Sequence, residues 1–370
     1  MQVSKYRWTA ADGWDANLLL TPNIDLVMVF ADNPFFTKAE FYTELRTFFP
    51  SAQIVGCSSS GNIYGNTISH EDIVIATISF SNSKVVVKSK LIDPSDDVSA
   101  MVNQLVQELI DPNLKHLFVL SDGLSISGSE LTKTLNTLTI PVTGGLAGDA
   151  DRFKESWVMV NGPAKQHQIA LIGFYGDLEV SYGFATGWTE FGPERRVTRS
   201  KANTVYEIDH KPALEIYTRY LGELSKDLPS SGLRFPLSIR DAEADQNYVR
   251  TLLGVNLDEK SLNFAGDVPQ GSLCKLMKTD VDSLIGASIV LAEEFAAEKR
   301  AHDSFCLAVS CVGRLLVMGQ IAEEEIEAIQ GILGPQTTVF GFYSYGEIAP
   351  STSALCSLHN QTTTLTLLSE

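Results

Sequence analysis

Arg314 closes an apolar run, and a guanidinium placed there can grip a carboxylate through two parallel hydrogen bonds. An ion pair with Glu323, Glu324, Glu325 or Glu347 would spend the same charge on structure instead. Tyr343 and Tyr345 are two apart, so on an extended chain they share a face that can present two phenol donors to a pocket. Asp149 and Asp122 flank glycines at strand ends, where a carboxylate accepts from a ligand ammonium or caps a helix. Cys57 and Ser58 lie in the loop Gly56-Cys-Ser-Ser-Ser-Gly61. A cysteine near a histidine such as His70 or His359 can act as a nucleophile, which makes a cysteine-dependent enzyme one alternative. No local catalytic signature surrounds Cys57, however, and its counterpart in a second copy of the loop is Phe342. Ser58 does not complete Gly-x-Ser-x-Gly, because Ser60 follows where glycine is needed, and no Gly-x4-Gly-Lys phosphate loop occurs. Binding rather than catalysis is the expectation.

What must position these residues is an internal echo. Val55-Gly-Cys-Ser-Ser-Ser-Gly-Asn-Ile63 returns as Phe340-Gly-Phe-Tyr-Ser-Tyr-Gly-Glu-Ile348, with the same spacing of Gly, Gly and Ile. Each copy follows a short apolar run and precedes a polar loop, a histidine (His70, His359) and an apolar strand. A looser third echo runs from Val142-Thr-Gly-Gly-Leu-Ala-Gly-Asp149 to His167 and the strand after it. The pattern predicts a duplicated strand, glycine loop, strand unit whose loops face one another across a pocket. The same glycines also serve positive backbone angles and close chain approach, whatever the function.

The chain has 370 residues, enough for about two domains at roughly 150 residues each. Its net charge of -17, from 28 basic and 45 acidic residues, argues against binding nucleic acid or an anionic membrane surface. No apolar run approaches the roughly 20 residues of a membrane span, and the N-terminus lacks the form of a signal peptide. A cytoplasmic protein is expected. Five scattered cysteines with no Cys-x-x-Cys pair indicate reduced thiols rather than disulfides or structural zinc.

Alternating patterns place strands at Asp25 to Asp32, Lys115 to Gly123 and Ser304 to Val312. Helices are expected over 34–49, 98–110, 127–135, 281–299 and 323–333. His70 to Phe80 and Lys84 to Leu91 read as adjacent antiparallel strands joined by Ser81-Asn-Ser83. The text changes near Val205, giving two parts, 1–204 and 205–370, in an α/β fold with mixed sheets.

Most of the chain resembles the FIST family, a sensory domain with paired N-terminal and C-terminal parts. The strings that carry the likeness are Ser310-Cys-Val-Gly-Arg-Leu-Leu-Val-Met-Gly-Gln320, Glu323-Glu-Glu-Ile326, Gly341-Phe-Tyr-Ser-Tyr-Gly-Glu-Ile-Ala-Pro350, Leu358-His-Asn-Gln-Thr362, Gly144-Gly-Leu-Ala-Gly-Asp149 and Gly56-Cys-Ser-Ser-Ser-Gly61. Asn62 departs from the Gly-Glu usual in the first loop, while Glu347 keeps it. The resemblance implies a sensor that binds a small ligand and signals to a separate partner, a histidine kinase or a cyclic-di-GMP enzyme.

Two ligands follow from the family. One is nitric oxide bound through haem, as in stand-alone members at about this length. The other is an amino acid. Haem needs an axial ligand, commonly histidine. His116, His210 and His302 read as solvated surface residues, which leaves His70, His167 and His359, and His359 lies in the strongest motif. For an amino acid, Arg314 would hold the carboxylate, Glu347 or Asp149 the ammonium, and Tyr343 or Tyr345 would close the pocket.

Overall fold

Leu26–Ala31, Leu114–Ser121 and Ser304–Cys311 are almost wholly buried, apolar-rich strands, the composition of strands covered on both faces. Each is the inner strand of its own six-stranded mixed sheet in the computed structural model, which describes all residues except 16–22, 94, 242–245, 299–302 and 352–353. Beside each inner strand runs a parallel strand that carries the glycine of the echo: Gln53–Ser58, Val142–Leu146 and Thr337–Ser344. A helix makes each crossover, Ala39–Phe48, Gly128–Leu135 and Ala322–Leu333. On the other side of the inner strand lies an antiparallel return strand, Ile73–Ser79, Gln168–Tyr175 or Thr363–Ser369. A lead strand then flanks it: Gln2–Thr9, Lys84–Leu91 or Glu179–Ala185.

The unit is therefore present three times, and the looser third echo is a full copy. The copies are also interlaced. After its glycine strand, each unit sends a crossing strand to the glycine strand of another unit. Asn62–Tyr64 pairs with Thr337–Ser344, Gly346–Ser351 pairs with Val142–Leu146, and Val158–Val160 pairs with Gln53–Ser58, which closes the cycle.

One apolar core serves all three sheets, with Phe30, Val55, Phe118, Ala147, Phe340 and Phe342 among its buried members. Phe30 stacks on Phe342 at 4.5 Å between ring centroids. The outer faces are covered by their own helices, as Phe41 and Leu45 cover the first sheet and Leu291 and Ile326 the third.

The glycines have one physical reason. A Cβ on Gly56 would stand 2.1 Å from the Val29 carbonyl oxygen, on Gly144 2.1 Å from that of Val119, and on Gly341 1.7 Å from that of Ala308. In every copy the parallel neighbour's backbone occupies the space a side chain would need.

Between the third lead strand and the helix Val281–Ala297 the chain inserts a separate eight-stranded sheet with its own core of Val197, Ile208, Tyr217 and Phe264. The expected division at 204/205 falls at the start of Thr204–Ile208, which pairs with Thr189–Lys201 inside this inserted sheet. One expectation is corrected. Ile73–Ser79 and Lys84–Leu91 do not form a hairpin but belong to different sheets. Ser81-Asn-Ser83 passes the chain from one unit to the next, and the Glu370 carboxylate accepts from the N–H groups of Ser81 and Asn82 there.

Gly341→Ala should lower stability by about 2–4 kcal/mol, because rigid backbone must move. Gly331→Ala, at an open, exposed helix position, should raise it by about 0.5–1 kcal/mol. Denaturant midpoints of the two variants check this. A Gly341→Ala midpoint at the wild-type value would refute the close-approach argument.

Candidate functional site

The ends of the glycine strands lock together. Tyr343 N–H donates to Gly61 O at 2.8 Å, Ser60 N–H to Tyr343 O at 2.9 Å, Gly148 N–H to Ser58 O at 3.0 Å and Tyr345 N–H to Leu146 O at 3.0 Å. Side chains complete the junction. Ser58 Oγ accepts from Trp157 N–H at 2.9 Å, Ser60 Oγ from Ala150 N–H at 3.0 Å, and the Tyr345 hydroxyl donates to Asp149. The other Asp149 oxygen accepts from the N–H groups of Lys154 and Glu155. Burial pushes the Tyr345 phenol up, so it stays a neutral donor. The structure thus brings Ser58, Asp149 and Tyr345 together, but as ties between three loops whose polar atoms already have partners. Asp122 is likewise spent. Burial would raise it, but hydrogen bonds from Ser156, Leu124, His167 and Ser125 outweigh that and hold it below the usual carboxylate range.

Arg314 takes the structural alternative. It is 0 % exposed and ion-paired with the equally buried Glu325. Its Nη1 reaches Thr186 O at 2.5 Å and its Nη2 reaches Leu284 O at 3.1 Å and Ser288 Oγ at 3.2 Å, while Nε has no partner among the described residues. It has no face for a ligand carboxylate. Tyr343 and Tyr345 do not share a pocket wall, because the chain turns between them as it leaves one sheet for another. Tyr343 packs in the third sheet's outer core, and Tyr345 packs with Val312 and Leu358. Glu347 is buried and accepts from Ser344 Oγ at 2.6 Å and Thr362 Oγ1 at 2.8 Å. Burial outweighs these bonds and pushes its carboxyl up to about 7. Cys57 stands in the shared core with its thiol pushed well up by burial, the reverse of an activated nucleophile.

Among the histidines, the expectation of a solvated His116 is corrected. His116 is buried, with Nε2 2.7 Å from Thr143 Oγ1, and burial lowers it to about 3. His70 and His210 are exposed, and His302 lies outside the described residues. His359 ends the strand Ala354–His359. Its ring packs on Phe184 at 4.2 Å, its Nε2 lies 3.1 Å from Ala349 O, and burial lowers it to about 4. A haem there needs a free ring nitrogen aimed at an apolar slot. The cleft His359 borders is instead walled by Lys133, Asp241, Asn247, Arg250 and Asp267. These residues do not fit haem.

A better receptacle lies where the inserted sheet covers the ends of the second and third inner strands. This cleft, of about 440 Å³, is walled by Leu124, Ile126, Leu146, Leu253, Phe264 and Leu358. Phe153, 40 % exposed and stacked on Tyr345 at 4.7 Å, stands between it and a second cavity of about 570 Å³. Two buried polar atoms of cleft residues, Thr251 Oγ1 and Asn360 Oδ1, have no hydrogen-bond partner among the described residues. Asp267 anchors its backbone N–H to Ser129 Oγ at 3.0 Å, while its carboxylate makes no ion pair among the described residues. Gly128 and Ser129 open the helix Gly128–Leu135, so their N–H groups lie outside its hydrogen-bond ladder.

Sequence reasoning missed Thr251, Asp267 and Asn360. Asn360 lay inside a string already singled out, Leu358-His-Asn-Gln-Thr362, where the histidine drew the attention.

A partly open cleft on an internally bonded scaffold, with buried polar atoms that lack partners among the described residues, has the form of a small-ligand site. The chain belongs to the FIST family, matching the FIST N domain over residues 25–211 and the FIST C domain over residues 213–350. FIST domains are sensory domains that bind small ligands in signalling. An uncharacterized protein of Methanocaldococcus jannaschii is 24% identical over 316 residues, covering 78% of this chain and 60% of that protein. The chain thus spans less than two thirds of that relative's length. Among solved structures, a cyanuric acid hydrolase from A. caulinodans aligns over 99% of this chain and 98% of its own at 9% identity. Its TM-score of 0.35 carries no argument. No helix among the described residues is long and apolar enough to cross a membrane.

Arg314→Ala should cost about 3–5 kcal/mol in unfolding free energy, the penalty for orphaning buried Glu325. A loss under about 1 kcal/mol would show that the pair contributes little. For Glu347 the folded value lies above the unfolded one, so its share of stability is full below about pH 4.5 and falls as pH rises to about 7. Across that window wild type should lose roughly 2–3 kcal/mol relative to Glu347→Gln. Parallel pH profiles for the two proteins would contradict the assignment.

Proposed function

We propose that this chain is an amino-acid sensor, with the ligand held in the cleft between the inserted sheet and the interlaced body. One observation carries the reading: Thr251 Oγ1 and Asn360 Oδ1 are buried without partners among the described residues, in a cleft that joins apolar walls to a few polar groups. Such an orphan costs about 1–3 kcal/mol, which a ligand carrying N–H donors recovers. An ammonium has three donors, and these two acceptors with the Asp267 carboxylate match that number. The opening N–H groups of Gly128–Leu135 suit the α-carboxylate. The walls of Leu124, Leu146, Leu253 and Phe264 favour an apolar side chain. The roles first expected of Arg314 and Glu347 pass to these groups.

Occupancy is relayed to a separate signalling enzyme, a histidine kinase or a cyclic-di-GMP enzyme, through a shift in how the inserted sheet seats on the body. For nitric-oxide sensing through haem, the first-choice ligand His359 offers a ring packed on Phe184 with Nε2 3.1 Å from Ala349 O, beside a cleft walled by charged residues.

A thermal-shift screen of the amino acids, followed by calorimetry, tests the proposal. Apolar amino acids should raise the midpoint saturably, by about 2.7 kcal/mol at a hundred times Kd. Thr251→Val and Asn360→Leu should fold and lose that shift. Haemin should give no saturable Soret band. Absence of a shift with every amino acid, or shifts unchanged in both variants, would overturn the reading.

A further inference from the structure

Arg250 is 5 % exposed, in a chain of 45 acidic residues, yet no carboxylate among the described residues pairs with it. Its Nε donates to Asp267 O at 3.0 Å, and its Nη1 to Val249 O at 3.0 Å and Leu358 O at 3.2 Å. Tyr248 lies under the guanidinium at 4.1 Å. The seat is built for it. Gly266 has φ +144, and a Cβ there would stand 2.9 Å from Arg250 Nε. Carbonyls and a ring face offset part of the cost of burying a cation, but they supply no counter-charge. Nη2 makes no hydrogen bond among the described residues.

The cleft that Arg250 borders, of about 410 Å³, also holds Lys133, Asn136, Asn247 and Ser357, all able to donate to an anion. Asp241 and Asp267 line it too, and the Asp267 carboxylate partly offsets the burial that lowers the Arg250 guanidinium. Leu358 and Asp267 separate this polar cleft from the apolar one.

We propose that the Arg250 cleft is a second binding site, for a small oxyanion borne on a carboxylate or a phosphate. Nη2, the one guanidinium nitrogen of Arg250 not spent on a carbonyl, supplies a charged donor, and Lys133, on the exposed face of Gly128–Leu135, supplies a second positive charge. This site is independent of what fills the apolar cleft.

Calorimetric titration of the full chain with inorganic phosphate and, separately, with succinate, against chloride at matched ionic strength, tests it. Saturable binding of one anion per chain is expected. Phosphate alone binding would assign a phosphate-bearing ligand, and succinate binding a carboxylate. Lys133→Ala, at a solvent-facing position, should keep the fold and weaken binding about tenfold, while Arg250→Met should abolish it. Asn360→Leu should leave it unchanged, so failure here and failure of the amino-acid reading are read separately. Neither anion saturating by about 10 mM, or wild-type affinity in both Lys133→Ala and Arg250→Met, would overturn the proposal.

Discussion

Three backbone contacts govern this molecule: the approach of Gly56 to Val29, of Gly144 to Val119 and of Gly341 to Ala308. At each, two parallel strands lie so close that a single methyl group does not fit. That closeness draws the three glycine strands inward and lets Phe30, Phe340 and Phe342 share one core. The crossing strands follow from it, because each must leave the crowded centre and finds the free edge of another unit's glycine strand. The cycle of exchanged strands then makes the three units inseparable, although each is simple by itself.

Crowding at the centre also decides what polar residues can do. A polar atom withdrawn from water must be paired, and the strand ends meet where little water enters. Ser58, Ser60, Asp149 and Tyr345 therefore satisfy the turning backbone and each other. The same pressure pairs Arg314 with Glu325 and folds Glu347 onto Ser344 and Thr362. Residue types that suggest ligand chemistry are consumed by architecture in the body. Pairing is not complete even there, since Arg314 Nε, Glu325 Oε2 and the Tyr343 hydroxyl have no partner among the described residues, but those groups are fully buried, whereas Thr251, Asn360 and Arg250 line clefts where the inserted sheet meets the body.

The family, the mixed α/β class and the strands Leu114–Ser121 and Ser304–Cys311 were legible because their signals are local: apolar runs, helix caps and glycine spacing. Ser127, for instance, caps Gly128–Leu135 as its position suggests. The third copy was legible only as a faint echo, since Gly145 and Gly148 stand where the other loops carry Cys57 or Phe342 and Ser60 or Tyr345. The interlacing was not legible. A crossing strand of three residues such as Asn62–Tyr64 carries no mark of which sheet it joins. His116 misled for a related reason: it follows Lys115 near the start of its strand, and only the inward-turned ring and its contact with Thr143 show the burial. The candidate site was the least legible part, because an unpartnered atom is defined by what fails to surround it. Thr251 and Asn360 are ordinary residues until residues 100 positions or more away in sequence close around them.

The division of labour between body and insert bears on signalling. A ligand shifts an equilibrium only by the difference in its affinity for two states. The body, with its exchanged strands and shared core, has no second packing within reach, since any relative movement of its units would break several sheets together. The inserted sheet has its own core and meets the body through an apolar cluster that joins Val249 and Met277 to Leu284, Met318 and Ala322, and through ties that include Arg250 to Leu358 O and Asp267 N–H to Ser129 Oγ. Both ties sit on the wall that the two clefts share. A ligand on either side of that wall therefore acts on the contacts that fix the insert, and the insert is the element whose position can report occupancy to a partner.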